Sequence, residues 1–248
     1  MRRLFHFFAI SLMFFFAASL DGFADEIQLV QGILPPYAMP ESDSGIEVDI
    51  IRAALAKRNH SVDIRYVPFG RVALDFSRSE SDAGSPLNPR SGIIAEYSDS
   101  HLVYENVAVS LRENRLKIEN IKSLSKYRIA AFMDAKIFLG SEFAAMAVGN
   151  TGYREVGNQI NQNRLLRRKR VDVTIGDFRI FQYYDKQLAK EQSLKQVEFH
   201  HIFDPTPYHV AFKDEKLKDD FNMGLQEIRA SGEYQIIISN YTTGPQIN

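Results

Sequence analysis

Asp177 is the carboxylate with the clearest chemical setting, in RVDVTIGDFRIFQYYD (170–185). An apolar run from Val171 to Ile175 ends at Gly176 and Asp177. Phe178, Phe181 and Tyr184 then recur at helical spacing. Two roles fit a carboxylate at such a junction. It can cap the helix, accepting from the first free amides. It can also face a cleft, because open α/β sheets bind ligands beyond the carboxyl ends of their strands. The stretch alone leaves both open.

Other reactive groups carry less of a pattern. Glu41, Glu47, Glu96, Glu105 and Glu142 could each serve as an acid or base, but none sits in a recognisable catalytic motif. His200 and His201 are adjacent, so on a strand they point to opposite faces, and no ligand spacing links them to His209. No metal pattern, nucleophile elbow or glycine-rich phosphate loop is present. These readings favour a binding protein over an enzyme and imply neither metal nor cofactor. Cys and Trp are absent, while Phe and Tyr number 18 and 11. Any aromatic wall must come from those two.

The elements that would position Asp177 alternate between strand and helix. EIQLVQGI (26–33) reads as a strand and PPYAMP (35–40) as a loop. In 46–59, Ile46, Ile50, Ile51, Ala54 and Leu55 form one helical stripe. SVDIRYV, GRVALDFSRS and SDAG complete a βαβα unit, which implies parallel strands. Further on, 104–113 reads as one long strand, 127–132 as another, and 134–148 as a helix marked at its start by Asp134. YREV, a helix over 158–169, VDVTI, QVEFHHIF and YHVAF follow. Leu217, Phe221, Leu225 and Ile228 then recur on a closing helix that Gly232 terminates, with a last short helix in EYQIIISNY. Two α/β units in succession, followed by helices without a strand of their own, imply an α/β chain of two lobes. The chain would cross between them near Val107–Leu111 and near Phe203–Tyr208, an arrangement suited to hinge closure.

The first 24 residues read as a cleaved secretory signal peptide: Arg2 and Arg3, then LFHFFAISLMFFFAASL, then small residues at Gly22 and Ala24. The 17-residue apolar run is slightly short for a membrane span of about 20 residues. No Cys follows it to carry a lipid. From Asp25 onward the 224 residues hold 28 basic and 30 acidic side chains, a net of −2 that gives no reason to expect nucleic acid. RLLRRKR (164–170) reads as the solvated end of a helix.

The order of these pieces resembles the bacterial extracellular solute-binding proteins of the polar-amino-acid type, which serve ABC importers. The likeness is carried by the 35–84 stretch, with its Pro-aromatic loop, its Gly before a helix with an internal Asp, and its strand ending in Pro-aromatic. IKSLSKYRIAAF, RVDVTIGD and FNMGLQEIRASGEYQIIISNY carry it further. The resemblance implies a type II periplasmic-binding-protein-like fold, each lobe a mixed, mostly parallel sheet flanked by helices. Residues 25–108 and 205–248 would form lobe 1, and 109–204 lobe 2. It implies a periplasmic monomer that delivers a small polar ligand to an ABC permease in the inner membrane. It also implies a ligand site in which Tyr37 and Phe69 sandwich the solute and Asp177 receives its ammonium.

Two departures bear on the ligand. The family segment ending in Thr-x-x-Arg, whose Arg forks onto a ligand carboxylate, is several residues shorter here, and Arg90 is the one candidate for that role. FMDAKIF stands where the family often has Gly-Ser-Thr at a helix start. Amides there could still hold an anion, with Lys136 adding charge. The expected solute is an amino acid or a related amine-bearing metabolite; together these changes put a free α-amino acid in doubt and admit a polyamine, a modified amino acid or another cationic metabolite. Two other functions fit the same architecture: a dehydratase or murein-cleaving enzyme, and a periplasmic sensor or interaction module that no longer serves transport.

Overall fold

The computed structural model describes residues 25–190 and 193–242, so the expected signal peptide lies outside the described residues. The chain opens as β1 (Glu26–Ile33), α1 (Ile46–Ala56), β2 (Ser61–Pro68), α2 (Val72–Arg78) and β3 (Ala83–Leu87). β1 lies between β2 and β3 and is parallel to both. Flanked on both sides, its second half is almost entirely buried, as central parallel strands are. The short β4 (Glu96–Tyr97) and β5 (Leu102–Tyr104) follow, each antiparallel to a later strand that completes the sheet.

A second sheet starts at β6 (Asn106–Leu111). It gains β7 (Ile129–Phe132), α3 (Ala135–Phe138), α4 (Ser141–Gly149), β8 (Tyr153–Val156), α5 (Ile160–Arg167), β9 (Val173–Asp177), α6 (Phe178–Ala189) and β10 (Val197–His200). Its strand order is β10-β6-β9-β7-β8, with β8, β7 and β9 parallel and β6 antiparallel to its neighbours. The chain then returns to the first sheet as β11 (Thr206–Phe212) and ends in α7 (Glu215–Ala230) and α8 (Glu233–Thr242). The first sheet runs β2-β1-β3-β11-β4, with β5 also on β11. Both sheets are mixed and flanked by helices, as expected of two lobes.

Two expected elements are broken, each for a local reason. The long strand over 104–113 divides at Glu105, and the pieces belong to different sheets. The first crossing therefore falls at Glu105, ahead of the 107–111 stretch expected to carry it. The second runs from His200 to Thr206. The side-chain Nδ2 of Asn106 donates to Thr206 Oγ1 at 3.2 Å, tying the two crossings together. The single helix expected over 134–148 breaks at Gly140, whose φ of +87° suits glycine. Asp134 does stand before α3, but in a left-handed conformation with no capping bond from its side chain.

The closing helices bury their stripes on the first sheet, as their lack of strands requires. Leu217, Phe221, Leu225 and Ile228 of α7 are all inside, and α7 packs along α1. Gly224 permits that approach, since a Cβ there would sit 1.9 Å from the Ala54 carbonyl oxygen. One apolar core continues from the first lobe into the second. A smaller one, around Val107, Val109, Leu166 and Phe181, fills the far face of the second sheet.

Loop carbonyls, rather than a capping side chain, satisfy the start of α1. Ile46 donates to Pro36 O at 3.1 Å and Glu47 to Tyr37 O at 2.9 Å. This docking fixes the Tyr37 backbone on the helix N-terminus. Gly45 makes it possible, with φ +147° and a Cβ position 2.2 Å from Tyr37 O. Gly45→Ala should therefore cost at least about 2 kcal/mol, from backbone strain plus loss of the docked loop. Chemical denaturation at neutral pH measures it.

Candidate functional site

Asp177 ends β9 and starts α6, and its carboxylate both caps the helix and meets a side chain of the other lobe. Oδ1 accepts from the Arg179 amide at 2.9 Å and the Ile180 amide at 3.1 Å, which is an N-cap. Oδ2 accepts from the Glu105 amide at 2.9 Å, at the point where the chain changes sheet. The Phe178 amide returns a bond to Glu105 O at 2.9 Å. From the other lobe the Tyr37 hydroxyl donates to Oδ1 at 3.0 Å. Asp177 is only 2% exposed, so the carboxylate faces inward between the lobes.

Burial pushes the Asp177 carboxyl up to about 6, although the Ile180 amide, the Tyr37 hydroxyl, the Arg179 charge and the Glu105 amide all favour the anion. The Tyr37 hydroxyl is raised well above its usual range, first by burial and then by the Asp177 charge.

Around this carboxylate the two lobes present a continuous run of rings. Tyr37 stacks on Tyr104 with centroids 4.2 Å apart, and Tyr104 meets Tyr208 at 4.6 Å. Tyr208 meets Phe138 at 5.7 Å, Phe138 meets Phe69 at 5.4 Å, and Phe69 meets Phe132 at 6.2 Å. Such tilted and offset contacts are each worth about 0.5–1.5 kcal/mol beyond the area they bury. Tyr37, Phe69, Tyr104 and Tyr208 come from the first lobe, and Phe132 and Phe138 from the second. They leave a cavity of about 10 Å³, the room of a single water, bordered by Leu34, Asn106, Gln159 and Ile180 besides Asp177 and four of the rings. The lobes are closed on one another.

The groups expected to hold a carboxylate each have a partner within the protein. Arg90 is exposed and does not line the cavity; its Nη1 donates to Phe138 O at 2.7 Å, across the lobes. The amides before and within α3 are held by Glu155 of β8: Asp134 N to Oε2 at 2.9 Å and Lys136 N to Oε1 at 3.3 Å. Tyr153 OH donates to the same carboxylate at 2.8 Å. Lys136 directs its ammonium over the Tyr153 ring, 5.9 Å from the centroid. The anion site anticipated at this helix start is thus filled from within. Burial and the nearby Glu155 charge raise the Asp134 carboxyl above its usual range.

Sequence reasoning missed Tyr104, Tyr208, Phe132, Phe138, Gln159 and Glu155. Tyr104 and Tyr208 lie on β5 and β11, the strands that lead into and out of the crossings, and that position was the available signal. Among the acid-base candidates, Glu41, Glu96, Glu105 and Glu142 are exposed. Glu47 is fully buried in the first lobe, where it accepts from Ser85 Oγ at 2.6 Å, Gln31 Nε2 at 3.1 Å and Tyr104 OH at 3.2 Å, and lies 2.8 Å from His101 Nε2. Among the described residues no group of three or more His, Cys, Asp or Glu is placed to hold a metal.

Two consequences are measurable. A raised carboxyl pKa means that the folded state holds its proton more tightly than the unfolded state. The stability contributed is full below about pH 4 and is lost as pH rises through 6. Relative to Asp177→Asn, which does not titrate, the protein should lose on the order of 3 kcal/mol between pH 4 and pH 7 in urea denaturation. Closure also depends on Gly70, where a Cβ would lie 2.6 Å from Met133 Cγ of the facing lobe. Gly70→Val should hold the lobes apart, seen as a larger radius of gyration in solution scattering with unchanged helix content.

No family model matches this sequence, and no curated protein matches it. Solved structures do match. An ancestral arginine-binding protein bound to arginine superposes with a TM-score of 0.72 at 18% identity, over 89% of this chain and 99% of that chain. A histidine kinase sensor domain with similarity to periplasmic binding proteins gives 0.76 at 15%, over 89% and 97%. The arginine-, lysine-, histidine-binding protein ArtJ from the thermophilic bacterium Geobacillus stearothermophilus gives 0.72 at 14%, over 90% and 97%. Among the described residues no helix is long and apolar enough to cross a membrane. At these identities the likeness establishes architecture: the chain has the periplasmic-binding-protein-like fold.

Proposed function

We propose that the protein captures a small amine-bearing solute by closing its two lobes, with Asp177 as the anchor for the ammonium. The observation that carries this reading is the bond between Tyr37 and Asp177. It joins opposite lobes at a buried carboxylate beyond the C-terminal end of an interior strand, where α/β sheets bind ligands. In the open form that carboxylate is uncovered. An arriving ammonium takes the place of the Tyr37 hydroxyl and makes a charge-assisted bond, stronger than the neutral one it replaces. Phe69 and Tyr37 flank it from the first lobe, and Arg90 latches the lobes through Phe138. The solute shifts the population toward the closed state because only there are both sets of contacts available. The leader expected from the sequence, together with the fold, fits a periplasmic, monomeric capture protein that hands its solute to an ABC permease.

A second reading, a sensor or interaction module, is favoured by one specific observation. The cleft closes completely on its own side chains, so the closed form needs no solute to complete it. An enzyme on this fold has less support, because Asp177 is the one acidic side chain lining the cavity.

A thermal-shift screen of amino acids, polyamines and small organic acids tests the capture reading. A ligand at about 100 times its Kd stabilises by roughly 2.7 kcal/mol, a Tm rise of roughly 5–10 °C for a chain of this size. Asp177→Asn keeps an oxygen for the helix cap but removes the charge. It should weaken an amine ligand by at least about tenfold, since bonds to charged groups contribute roughly 1.5–3 kcal/mol. Alanine is the poorer probe, because it strips four donors of their acceptor at once. Equal affinity in the Asn variant would leave Asp177 a structural cap alone.

A further inference from the structure

The near-neutral total charge conceals a separation between the lobes. Residues 109–204 hold 17 basic and 11 acidic side chains, a net of +6. The rest of the chain from Asp25 holds 11 and 19, a net of −8. Asymmetry of this size between two halves accompanies binding of the basic half to anionic surfaces.

The topology gathers much of the excess at the pole of the second lobe that faces away from Asp177. β7 and β9 run parallel, with Ile129 opposite Val173, so both start at the end of the sheet remote from the Asp177 end. β6 runs the other way and finishes there, with Ser110 opposite Val173, and Val197 of β10 starts beside Leu111. The segments 112–117, 167–172 and 195–196 therefore meet at one pole, roughly 13 Å along β9 from Asp177. RLLRRKR belongs to this pole, and its reading as a helix end accounts for only part of it. Arg164 and Arg167 lie in the last turn of α5, where cations offset the helix dipole. The acidic groups nearby are already paired. Arg167 Nε donates to Asp185 at 3.0 Å, Lys169 and Lys195 share Glu113 at 2.8 Å each, and Arg128 forks onto Asp172 at 2.7 and 3.1 Å. Arg115, Lys117, Arg168 and Arg170 remain exposed, with no acidic partner among the described residues. Arg115 and Lys117 also border an open groove of about 780 Å³, shared with Arg112, Lys195, Glu113 and Glu198.

The chemistry of the pole selects among anionic partners. Its three segments contain no Phe or Tyr. Single-stranded nucleic acid is held on aromatic platforms, and protein interfaces have apolar cores depleted of charge. Scattered cations with neither feature match a plane of spread negative charge. We propose that this pole docks the protein on an anionic phospholipid surface, with the acidic first lobe turned away from the headgroups. Several separate cations make the contact, so attachment is reversible and screened by salt. The cleft takes no part in it, and the proposal stands or falls independently of what Asp177 binds.

Vesicle flotation tests this with the chain from Asp25 onward, which contains the whole described fold without the expected leader. Vesicles are made of phosphatidylcholine alone or of an equal mixture with phosphatidylglycerol. The protein should float with the mixed vesicles at about 0.05 M salt, be released at about 0.5 M, and ignore phosphatidylcholine. Arg168→Gln combined with Arg170→Gln should weaken binding at least about tenfold, since each cation near such a surface contributes a several-fold factor. Arg78→Gln combined with Lys216→Gln removes two exposed cations of the first lobe and should leave binding unchanged. Circular dichroism reports an intact fold in both. Failure to float with the mixed vesicles overturns the proposal, including the case in which sedimentation shows copies joined basic pole to acidic lobe. Equal loss in the two double variants overturns the assignment to this pole.

Discussion

One buried carboxylate holds together parts of the chain that are otherwise independent. Asp177 caps α6, pins the crossing at Glu105 and receives the Tyr37 hydroxyl from the opposite lobe. A carboxylate out of water is costly unless its lone pairs are used. Here four donors converge on it, and three of them belong to its own lobe or to the crossing. The fourth exists only when the lobes meet. The same group therefore stabilises local structure at all times and contributes to closure conditionally. That division lets a residue needed for folding also act at the junction between the lobes.

The surrounding chemistry is arranged to make the closed state self-sufficient. Six rings run from Tyr37 to Phe132 without interruption, and the Arg90 bond to Phe138 O crosses the junction beside them. Glu155 neutralises the amides at the start of α3 from below. The amides that a carboxylate-bearing solute could use at this helix start are thereby taken within the protein. Under the capture reading, a solute at Asp177 would compete with the Tyr37 bond rather than with water alone, and its affinity would be reduced by whatever the self-closed form is worth.

A second buried carboxylate supports the first from a distance. Glu47 has four polar partners, one of them the Tyr104 hydroxyl, and Tyr104 carries the stacked Tyr37 ring. A buried carboxyl group with this many polar partners orients its neighbours. Its effect is to hold Tyr104 in one rotamer, and through the stack to aim Tyr37 at Asp177. The aromatic wall is thus positioned by polar groups behind it as well as by packing.

The sequence by itself determined the parts whose signals are local. The apolar stripe of α1, the closing stripe of α7, the parallel βαβα start and the strand-to-helix junction at Asp177 were all legible, because periodicity and capping depend on near neighbours. So were the two-lobe architecture and the alternative roles of Asp177. Tertiary structure decided what depends on residues far apart in the chain. The break at Glu105 arises because Asp177, 72 residues away, competes for its amide. Glu155 takes the amides at 134 and 136 because β8 lies beside β7, a register that composition does not encode. Tyr104, Tyr208, Phe132 and Phe138 read as ordinary strand and helix aromatics until closure brings them together. That Asp177 meets the other lobe as well as capping α6 was undecidable from 170–185, since the hydroxyl it meets comes from 140 residues earlier.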